Sequence, residues 1–181
     1  MSESAAPDDR RASGAPAFRA DPTHPVVHDE ERRRAQAMLR GIPHFSDVPA
    51  HHVRELAQVA HTETFEAGEA IIRMGEYGST MYVIRSGRVQ VVRGGPEAPI
   101  VLATLGPGEF FGELSIFDRE VRSATVLAVE DTETLTIGRY DIVRLVSRSP
   151  ELALALLKSL GARLRTANDR LSNGWPSVPR S

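Results

Sequence analysis

Residues 105–126 read LGPGEFFGELSIFDREVRSATV, a stretch that places Glu113 and Arg122 nine positions apart among glycine and apolar residues. Burying a charge costs free energy unless the charge finds a partner. The two side chains therefore either pair with each other in a structural ion pair or wait, each separately, for part of a ligand. The backbone around them decides which alternative is chemically reasonable.

That backbone has the pattern of a strand, a single helical turn and a second strand. Phe110 and Phe111 end the first strand, and Gly112 allows the chain to turn or to approach another group closely. The segment ELSIF is long enough for one helical turn, whose free N–H groups attract anions. Arg122 follows, and its planar guanidinium matches two phosphate oxygens. Since a carboxylate repels phosphate but accepts from a sugar hydroxyl, the stretch predicts a site for a sugar phosphate.

The bulk composition restricts the class of protein. The 181 residues suffice for one domain and a tail, and 41% apolar with 25% charged residues is ordinary for a globular protein. The formal net charge of −2 does not suggest a nucleic-acid binder. Cysteine is absent, which excludes disulfides and thiol catalysis. No apolar run approaches the roughly 20 residues of a membrane span, and no signal peptide is recognisable, so we expect a cytoplasmic protein without a membrane partner.

The periodicity of the sequence divides the chain into five segments. They are 1–28, 29–60, 61–138, 139–172 and 173–181. The first is rich in Pro, Ala, Ser and Asp and predicts a disordered leader, and the second predicts N-terminal helices. The third consists of short β-branched or apolar runs separated by glycine, with Ser86-Gly87 placed as in a tight hairpin; this is typical of a compact antiparallel barrel or sandwich. Two C-terminal helices and a tail follow, so the fold is mainly β with flanking α.

The last predicted helix carries an apolar stripe with heptad-like spacing. Its members recur at intervals of 4, 3, 4, 3 and 4 residues and are Ala153, Leu157, Leu160, Leu164, Ala167 and Leu171. Such a stripe either packs on its own barrel or pairs with the same helix of a second copy. Three heptads are near the lower limit for a coiled coil, so both alternatives stay open.

The combination of these features resembles the cyclic nucleotide-binding domain, in particular that of catabolite-activator-type regulators. The resemblance rests on FGELSIF, on the arginine nine residues after Glu113 and on the RSA that begins there. It extends over residues 40–172, through IRMGEYGSTMYVIRSGRVQVV, LGPGEFFGEL and SPELALALLKSLGARL. The resemblance implies an eight-stranded double-stranded β-helix, a jelly-roll-like barrel with N-terminal helices and two C-terminal lid or dimer helices. The stretch quoted first would be its phosphate-binding cassette.

The resemblance also implies how the sugar and phosphate of a nucleotide are held. Glu113 would accept a hydrogen bond from the ribose 2′-hydroxyl. Arg122 would pair with the exocyclic oxygens of the cyclic phosphate. Gly112, Leu114 and Ser115 would lie along the sugar–phosphate, with the backbone N–H of Ser115 donating to it.

The base is expected to contact a second group of residues. By the same resemblance, Ser123 would place a hydroxyl near the phosphate and base, and Val91 and Leu102 would line the base pocket. Asn168, beside Ala167, falls where the last helix meets the adenine edge. Alanine offers no hydroxyl there, so the resemblance supports recognition of adenine less strongly than recognition of the phosphate. Ser123 stands where members that bind cyclic GMP often carry threonine, and bacterial members that bind cyclic AMP carry serine there. The expected ligand is therefore cyclic AMP, possibly cyclic GMP.

The function expected from the resemblance is regulatory and not enzymatic. The chain would be a stand-alone cyclic nucleotide-binding regulatory protein that needs no cofactor or metal. The long C-terminal helix would close over the base and pass the signal to a second copy, in a homodimer, or to an unknown effector protein. His51 and Glu55 lie one helical turn apart, but two ligands are too few for a metal site.

Two other classes of function stay open. Only SNGWPSVPRS follows Leu171, too short for the helix-turn-helix domain of catabolite-activator-type regulators, so this chain is not expected to bind DNA itself. It would then act through a partner, or be the effector-sensing part of a transcriptional regulator whose DNA-binding domain is missing. Alternatively, it is a nucleotide-free scaffold with a degenerate barrel. Trp175 would either stack on the adenine or cover an apolar patch as part of the tail.

Overall fold

The computed structural model describes the backbone of residues 25–95 and 99–172. The predicted leader as far as residue 24, and the predicted tail with Trp175, lie outside the described residues. The helices are α1 (Pro25–Arg40), α2 (Ala50–Val59), α3 (Leu114–Phe117), α4 (Arg139–Val146) and α5 (Pro150–Ser172), with a 3₁₀ turn at Pro43–Phe45. The first helix thus begins inside the segment predicted as leader. Among these helices, none combines the length and the apolar character that crossing a membrane requires.

The central segment forms eight strands in the described part of the chain. They are β1 (His61–Phe65), β2 (Ala70–Ile72), β3 (Thr80–Ser86), β4 (Val89–Arg93), β5 (Ile100–Leu105), β6 (Phe110–Phe111), β7 (Thr125–Ala128) and β8 (Thr132–Gly138). Two antiparallel four-stranded sheets result, with the orders β1-β8-β3-β6 and β2-β7-β4-β5. This arrangement confirms the predicted mainly β, jelly-roll-like fold of eight strands with flanking helices.

The predicted hairpin at Ser86-Gly87 is wrong. β3 pairs with β8 and β6, whereas β4 pairs with β5 and β7, so these two residues carry the chain from one sheet to the other. Gly87 is required there for a different reason: its φ is +85°, and an added Cβ would lie 2.4 Å from the carbonyl oxygen of Asp131. Turn residues between two alternating runs mark a change of direction, but they do not tell whether the runs are neighbours in one sheet.

The sheet β1-β8-β3-β6 has an apolar core on each face because successive side chains of a strand point to opposite sides. Met81 and Val83 of β3 and Phe110 of β6 pack with the helices, in one buried cluster. Ile84 and Phe111 belong to a second cluster, which is shared with the other sheet and fills the interior of the roll. The cassette that follows Phe111 therefore begins at the boundary between the two cores.

Helix α5 begins at a defined cap and packs one narrow face on the domain. Ser149 is buried, and its hydroxyl accepts a hydrogen bond from the backbone N–H of Leu152 at 3.2 Å, which satisfies a free donor of the first turn. The face that follows is buried and comprises Leu152, Ala155, Leu156 and Ser159. These residues hold the first half of the helix against the core.

The heptad-like stripe of α5 lies on another face, which is largely exposed. Leu157 and Leu164 are each 63% exposed, as much as many surface residues. Leu157 and Leu164 are therefore not buried against the barrel, as the alternative of a stripe packed on its own barrel requires. Pairing of this stripe with the same helix of a second copy stays a prediction.

Candidate functional site

A cavity of about 370 Å³ opens between the sheet β2-β7-β4-β5, the cassette and helix α5. This volume is in the usual range for small-molecule sites. Eight of the nine residues predicted to bind ligand line it: Val91, Leu102, Gly112, Glu113, Leu114, Ser115, Arg122 and Ser123. Residues far apart in the sequence thus meet at one cavity.

The ninth predicted residue, Asn168, lies beside the cavity wall. It is exposed on α5, and its neighbour Ala167 lines the cavity together with Leu160 and Leu164. Its contact with a base stays a prediction. These three residues give the α5 wall an apolar surface beside Arg163, as suits the face of a base.

Arg122 is buried and hydrogen-bonded to three segments of the protein. Its Nη1 donates to the carbonyl oxygen of Gly112 at 2.6 Å and to Oγ of Ser115 at 2.7 Å. Its Nη2 donates to the carbonyl oxygen of Thr80 at 2.8 Å and to Oγ1 of the same residue at 3.2 Å. Burial lowers the pKa of Arg122, while the neighbouring Tyr82 and Glu113 raise it. The guanidinium is thus fixed in one plane at the cavity wall.

Two glycines make room for this guanidinium. A Cβ on Gly78 would lie 1.9 Å from Nε of Arg122, and a Cβ on Gly112 would lie 2.9 Å from Nη1. Gly112 also has a φ of +80°, a conformation that other residues adopt only with strain. The glycines around the motif therefore serve a close approach between backbone and charge.

Glu113 is also buried, and its partner is Arg163 of α5. Nη1 of Arg163 lies 3.3 Å from Oε1 of Glu113, and its Nη2 donates to the carbonyl oxygen of Phe110. The guanidinium carbon of Arg163 sits 4.6 Å from the centroid of the Phe110 ring, in cation–π contact. The two charges of the motif are thus held by separate partners, and the alternative in which Glu113 and Arg122 pair with each other is not observed.

Burial sets the protonation behaviour of Glu113. Loss of water raises the pKa of this carboxyl above its ordinary value, and the positive charge of Arg163 lowers it only in part. The ion pair with Arg163 therefore does not fully compensate the desolvation of the carboxylate. A further polar partner, such as a ligand hydroxyl, would stabilise its charged form.

The chemical character of the cavity follows from these groups. Arg122 and the first N–H groups of α3 offer donors to an anion, and Glu113 offers an acceptor beside them. In residues 25–95 and 99–172, no cluster of three or more His, Asp or Glu side chains is placed to hold a metal ion. The arrangement suits a ligand that combines an anionic group with a hydroxyl group and an apolar face.

Two polar residues of the site were not predicted from the sequence, namely Thr80 and Arg163. Thr80 opens β3, and nothing in its neighbours indicates that its carbonyl oxygen faces an arginine 42 positions later. Arg163 lies in the helix whose apolar stripe attracted attention, and it would have been found by asking which α5 residue faces Glu113. Answering that question requires knowing how α5 packs on the domain, and the apolar periodicity of the sequence does not show this.

Comparison with known proteins places these observations in a family. Residues 62–149 match the family model "Cyclic nucleotide-binding domain". The chain is 38% identical over 133 residues to the cyclic AMP receptor protein of Thermus thermophilus, which covers 72% of this chain and 61% of that protein. It is 33% identical over 129 residues to cGMP-dependent protein kinase 2 of Mus musculus, covering 70% of this chain and 16% of the kinase.

A solved structure supports the same assignment. The crystal structure of a cyclic nucleotide-binding domain from Methylobacillus flagellatus has a TM-score of 0.69 and 25% identity, with 83% of this chain and 88% of that chain covered. The chain spans less than two thirds of the first curated relatives it matches, at 61%, 31% and 58% of their lengths. The cassette, the roll and these matches agree, and the chain belongs to the cyclic nucleotide-binding domain family.

Proposed function

We propose that this chain has a regulatory role, binds 3′,5′-cyclic AMP in the cavity beside Arg122 and signals through α5. The observation that carries the proposal is the fixed, buried guanidinium of Arg122 at the wall of a cavity that also contains the carboxylate of Glu113. A buried cation and a buried anion that do not pair with each other suit the two polar parts of a ribose cyclic phosphate.

The cyclic phosphate would bind at Arg122 and at the start of α3. Arginine donates in a plane that matches two phosphate oxygens, and the backbone N–H of Ser115 is one of the donors without a partner inside the short helix. Both Nη atoms of Arg122 already have protein acceptors, so the phosphate would use Nε or replace Oγ of Ser115. The exchange leaves the backbone contacts to Thr80 and Gly112 in place.

The ribose and the base would occupy the rest of the cavity. The 2′-hydroxyl would donate to Glu113, which supplies the extra partner that this buried carboxylate lacks. Val91 and Leu102 would pack on one face of the base, and Ser123 would add a hydroxyl near the phosphate. Ala167 offers no hydroxyl to the base, so adenine would be favoured over guanine only modestly, and relatives are named for both cyclic AMP and cyclic GMP.

The signal would leave the site through Arg163. This side chain joins α5 to the cassette by contacts with Glu113 and with the carbonyl oxygen of Phe110. When a ligand hydroxyl also binds the carboxylate of Glu113, the energy of the contact between Glu113 and Arg163 changes. If α5 has two positions, the ligand shifts the equilibrium between them only as far as its affinity differs between the two. The mechanism therefore couples ribose binding to the helix that forms the wall of the cavity.

The receiver of the signal would be a second copy of the chain, bound along α5. Leu157 and Leu164 are exposed apolar residues at heptad spacing, and Leu160 between them lines the cavity. A partner helix on this stripe would bury apolar surface and at the same time cover the open side of the site. An effector protein that binds the same stripe is the alternative receiver.

A nucleotide-free scaffold is the second candidate function, and one observation favours it. The Nη atoms of Arg122 and the carboxylate of Glu113 all have partners within the protein, so the fold itself satisfies its buried charges to a large degree. The raised pKa of Glu113 argues against a purely structural role, because a structural ion pair usually lowers it.

Calorimetric titration of the protein with cyclic AMP and cyclic GMP tests nucleotide binding, with Arg122→Ala beside it. We expect saturable binding that Arg122→Ala weakens by roughly 2–5 kcal/mol, because the variant removes a buried charged partner of the phosphate. Arg54→Ala, which removes an exposed arginine on α2, is the matched control and should bind like the unmodified protein. Absence of heat with either nucleotide would instead favour the scaffold.

Glu113→Gln should separate binding from stability. A raised folded-state pKa means that the stabilising contribution of Glu113 is present below the unfolded pKa and is lost as pH rises through the folded pKa. The glutamine variant should therefore unfold at an equal or higher urea concentration than the unmodified protein at pH 7, and this difference should vanish near pH 4. Its affinity for cyclic AMP should fall on the order of 10-fold. Exposed Glu31→Gln is the control, and a less stable Glu113→Gln at pH 7 would contradict the prediction.

Hydrogen exchange tests the coupling of the site to α5. Saturating cyclic AMP should change the protection of residues 140–172, while α1, which lies apart from the cavity, serves as the internal reference. Arg163→Ala should reduce this change because it cuts the contact with Glu113, whereas exposed Arg165→Ala on the same helix should preserve it. Unchanged exchange in 140–172 on saturation would refute the coupling.

Sedimentation tests the second copy. We expect the protein to sediment at twice its 19.8 kDa mass, and the double variant Leu157→Glu, Leu164→Glu to sediment as a monomer because charges replace the apolar stripe. Thr166→Glu adds a charge at an exposed position outside the stripe and should stay dimeric. A monomer for the unmodified protein, with and without nucleotide, would show that the receiver is another protein.

A further inference from the structure

The hydroxyl of Thr80 is part of a hydrogen-bonded chain that ends at Arg122. A guanidinium only donates, so Oγ1 of Thr80 must accept the hydrogen bond from Nη2 with a lone pair. Its own proton then points elsewhere, and Oγ1 donates to the phenol oxygen of Tyr82 at 3.1 Å. Tyr82 therefore selects the hydroxyl orientation in which Thr80 presents a lone pair to the arginine.

The ring of Tyr82 is itself locked by aromatic contacts. It stacks on Phe111 with centroids 5.0 Å apart and an interplanar angle of 11°, and Phe65 meets it edge-on at 6.2 Å. Tyr82 and Phe111 are also direct partners in the β3–β6 ladder. Burial raises the pKa of Tyr82, so the phenol stays neutral and able to accept from Thr80.

This stack connects the two sides of the guanidinium. Phe111 directly precedes Gly112, whose carbonyl oxygen accepts from Nη1 of Arg122, while Tyr82 acts through Thr80 on Nη2. A shift of the aromatic pair would consequently move acceptors on both nitrogens. The orientation of the guanidinium plane thus depends in part on Thr80 and Tyr82, which are outside the lining of the cavity.

We propose that Thr80 and Tyr82 are positioning residues that hold the guanidinium of Arg122 in the plane required for phosphate. The proposal rests on the proposed function, in which the phosphate of a cyclic nucleotide binds at Arg122. A bidentate contact with phosphate depends on the direction of the donors as well as on the charge. Loss of the hydroxyl pair leaves Nη2 with only the carbonyl oxygen of Thr80 as acceptor and so widens the range of orientations of the plane. Affinity for the phosphate then falls while the cavity for the base and the sugar is unchanged.

The binding experiment uses the full chain and two ligands, cyclic AMP and adenosine, which lacks the phosphate. Thr80→Val keeps the shape and the carbonyl oxygen but removes the hydroxyl, and Tyr82→Phe keeps the aromatic stack. We expect losses of cyclic AMP affinity of about 10-fold and about 3-fold, with adenosine affinity unchanged in both. Thr80→Ser, which retains a hydroxyl, should restore most of the affinity, and Thr80→Val should have no further effect in an Arg122→Ala background.

A structural role would predict a different outcome. General damage to the roll would lower the affinities for cyclic AMP and adenosine together, and that result would overturn the proposal. So would an unchanged cyclic AMP affinity in Thr80→Val when the unmodified protein binds.

A measurement without nucleotide tests the positioning role of Thr80 and Tyr82 independently of whether the protein binds a cyclic nucleotide. In the isotope-labelled free protein, a fixed guanidinium should show separate Nη resonances for Arg122 by NMR, and Thr80→Val should merge or broaden them. If the unmodified protein binds no nucleotide, the proposed function fails, and these resonances still decide whether Thr80 and Tyr82 hold the plane. If the Arg122 resonances of Thr80→Val and of Tyr82→Phe are both identical to those of the unmodified protein, the positioning role is overturned.

Discussion

The burial of the Arg122 guanidinium is the constraint on which the rest of the site depends. A buried cation must find acceptors, and here they come from β3, from the residue after β6 and from α3. These segments are adjacent only when β3 and β6 pair and the chain turns sharply at Gly112. The glycines that border the guanidinium are thus explained by the space that it needs, since a side chain at either position would occupy the same volume.

The second buried charge ties the site to the last helix. Glu113 leaves the aqueous environment when the roll forms, and its raised pKa shows that Arg163 compensates this loss only in part. The burial of Glu113 costs free energy of solvation. Such a perturbed charged residue beside a cavity is typical of a functional position. The same contact makes α5 sensitive to whatever binds the carboxylate, because both compete for one acceptor.

The local part of the site could be predicted from the sequence. The strand end at Phe110 and Phe111, the helical turn of α3 and the later arginine depend on short-range steric and hydrogen-bonding rules, and eight of nine predicted residues do line the cavity. The hairpin expected at Ser86-Gly87 was wrong because alternation and turn residues describe a strand but not its neighbour. Thr80 and Arg163 were missed because each acts on a residue at least 42 positions away.

The sequence by itself determined the class of fold, the position of the cassette and the kind of ligand that its charges suit. These properties follow from residue type and spacing, which act over a few residues. The tertiary structure decided which partner each buried charge has and which face of α5 packs on the domain. The physical reason is that the partner of a buried charge is set by the packing of strands and helices, and only the folded chain brings Thr80 to Arg122 and Arg163 to Glu113.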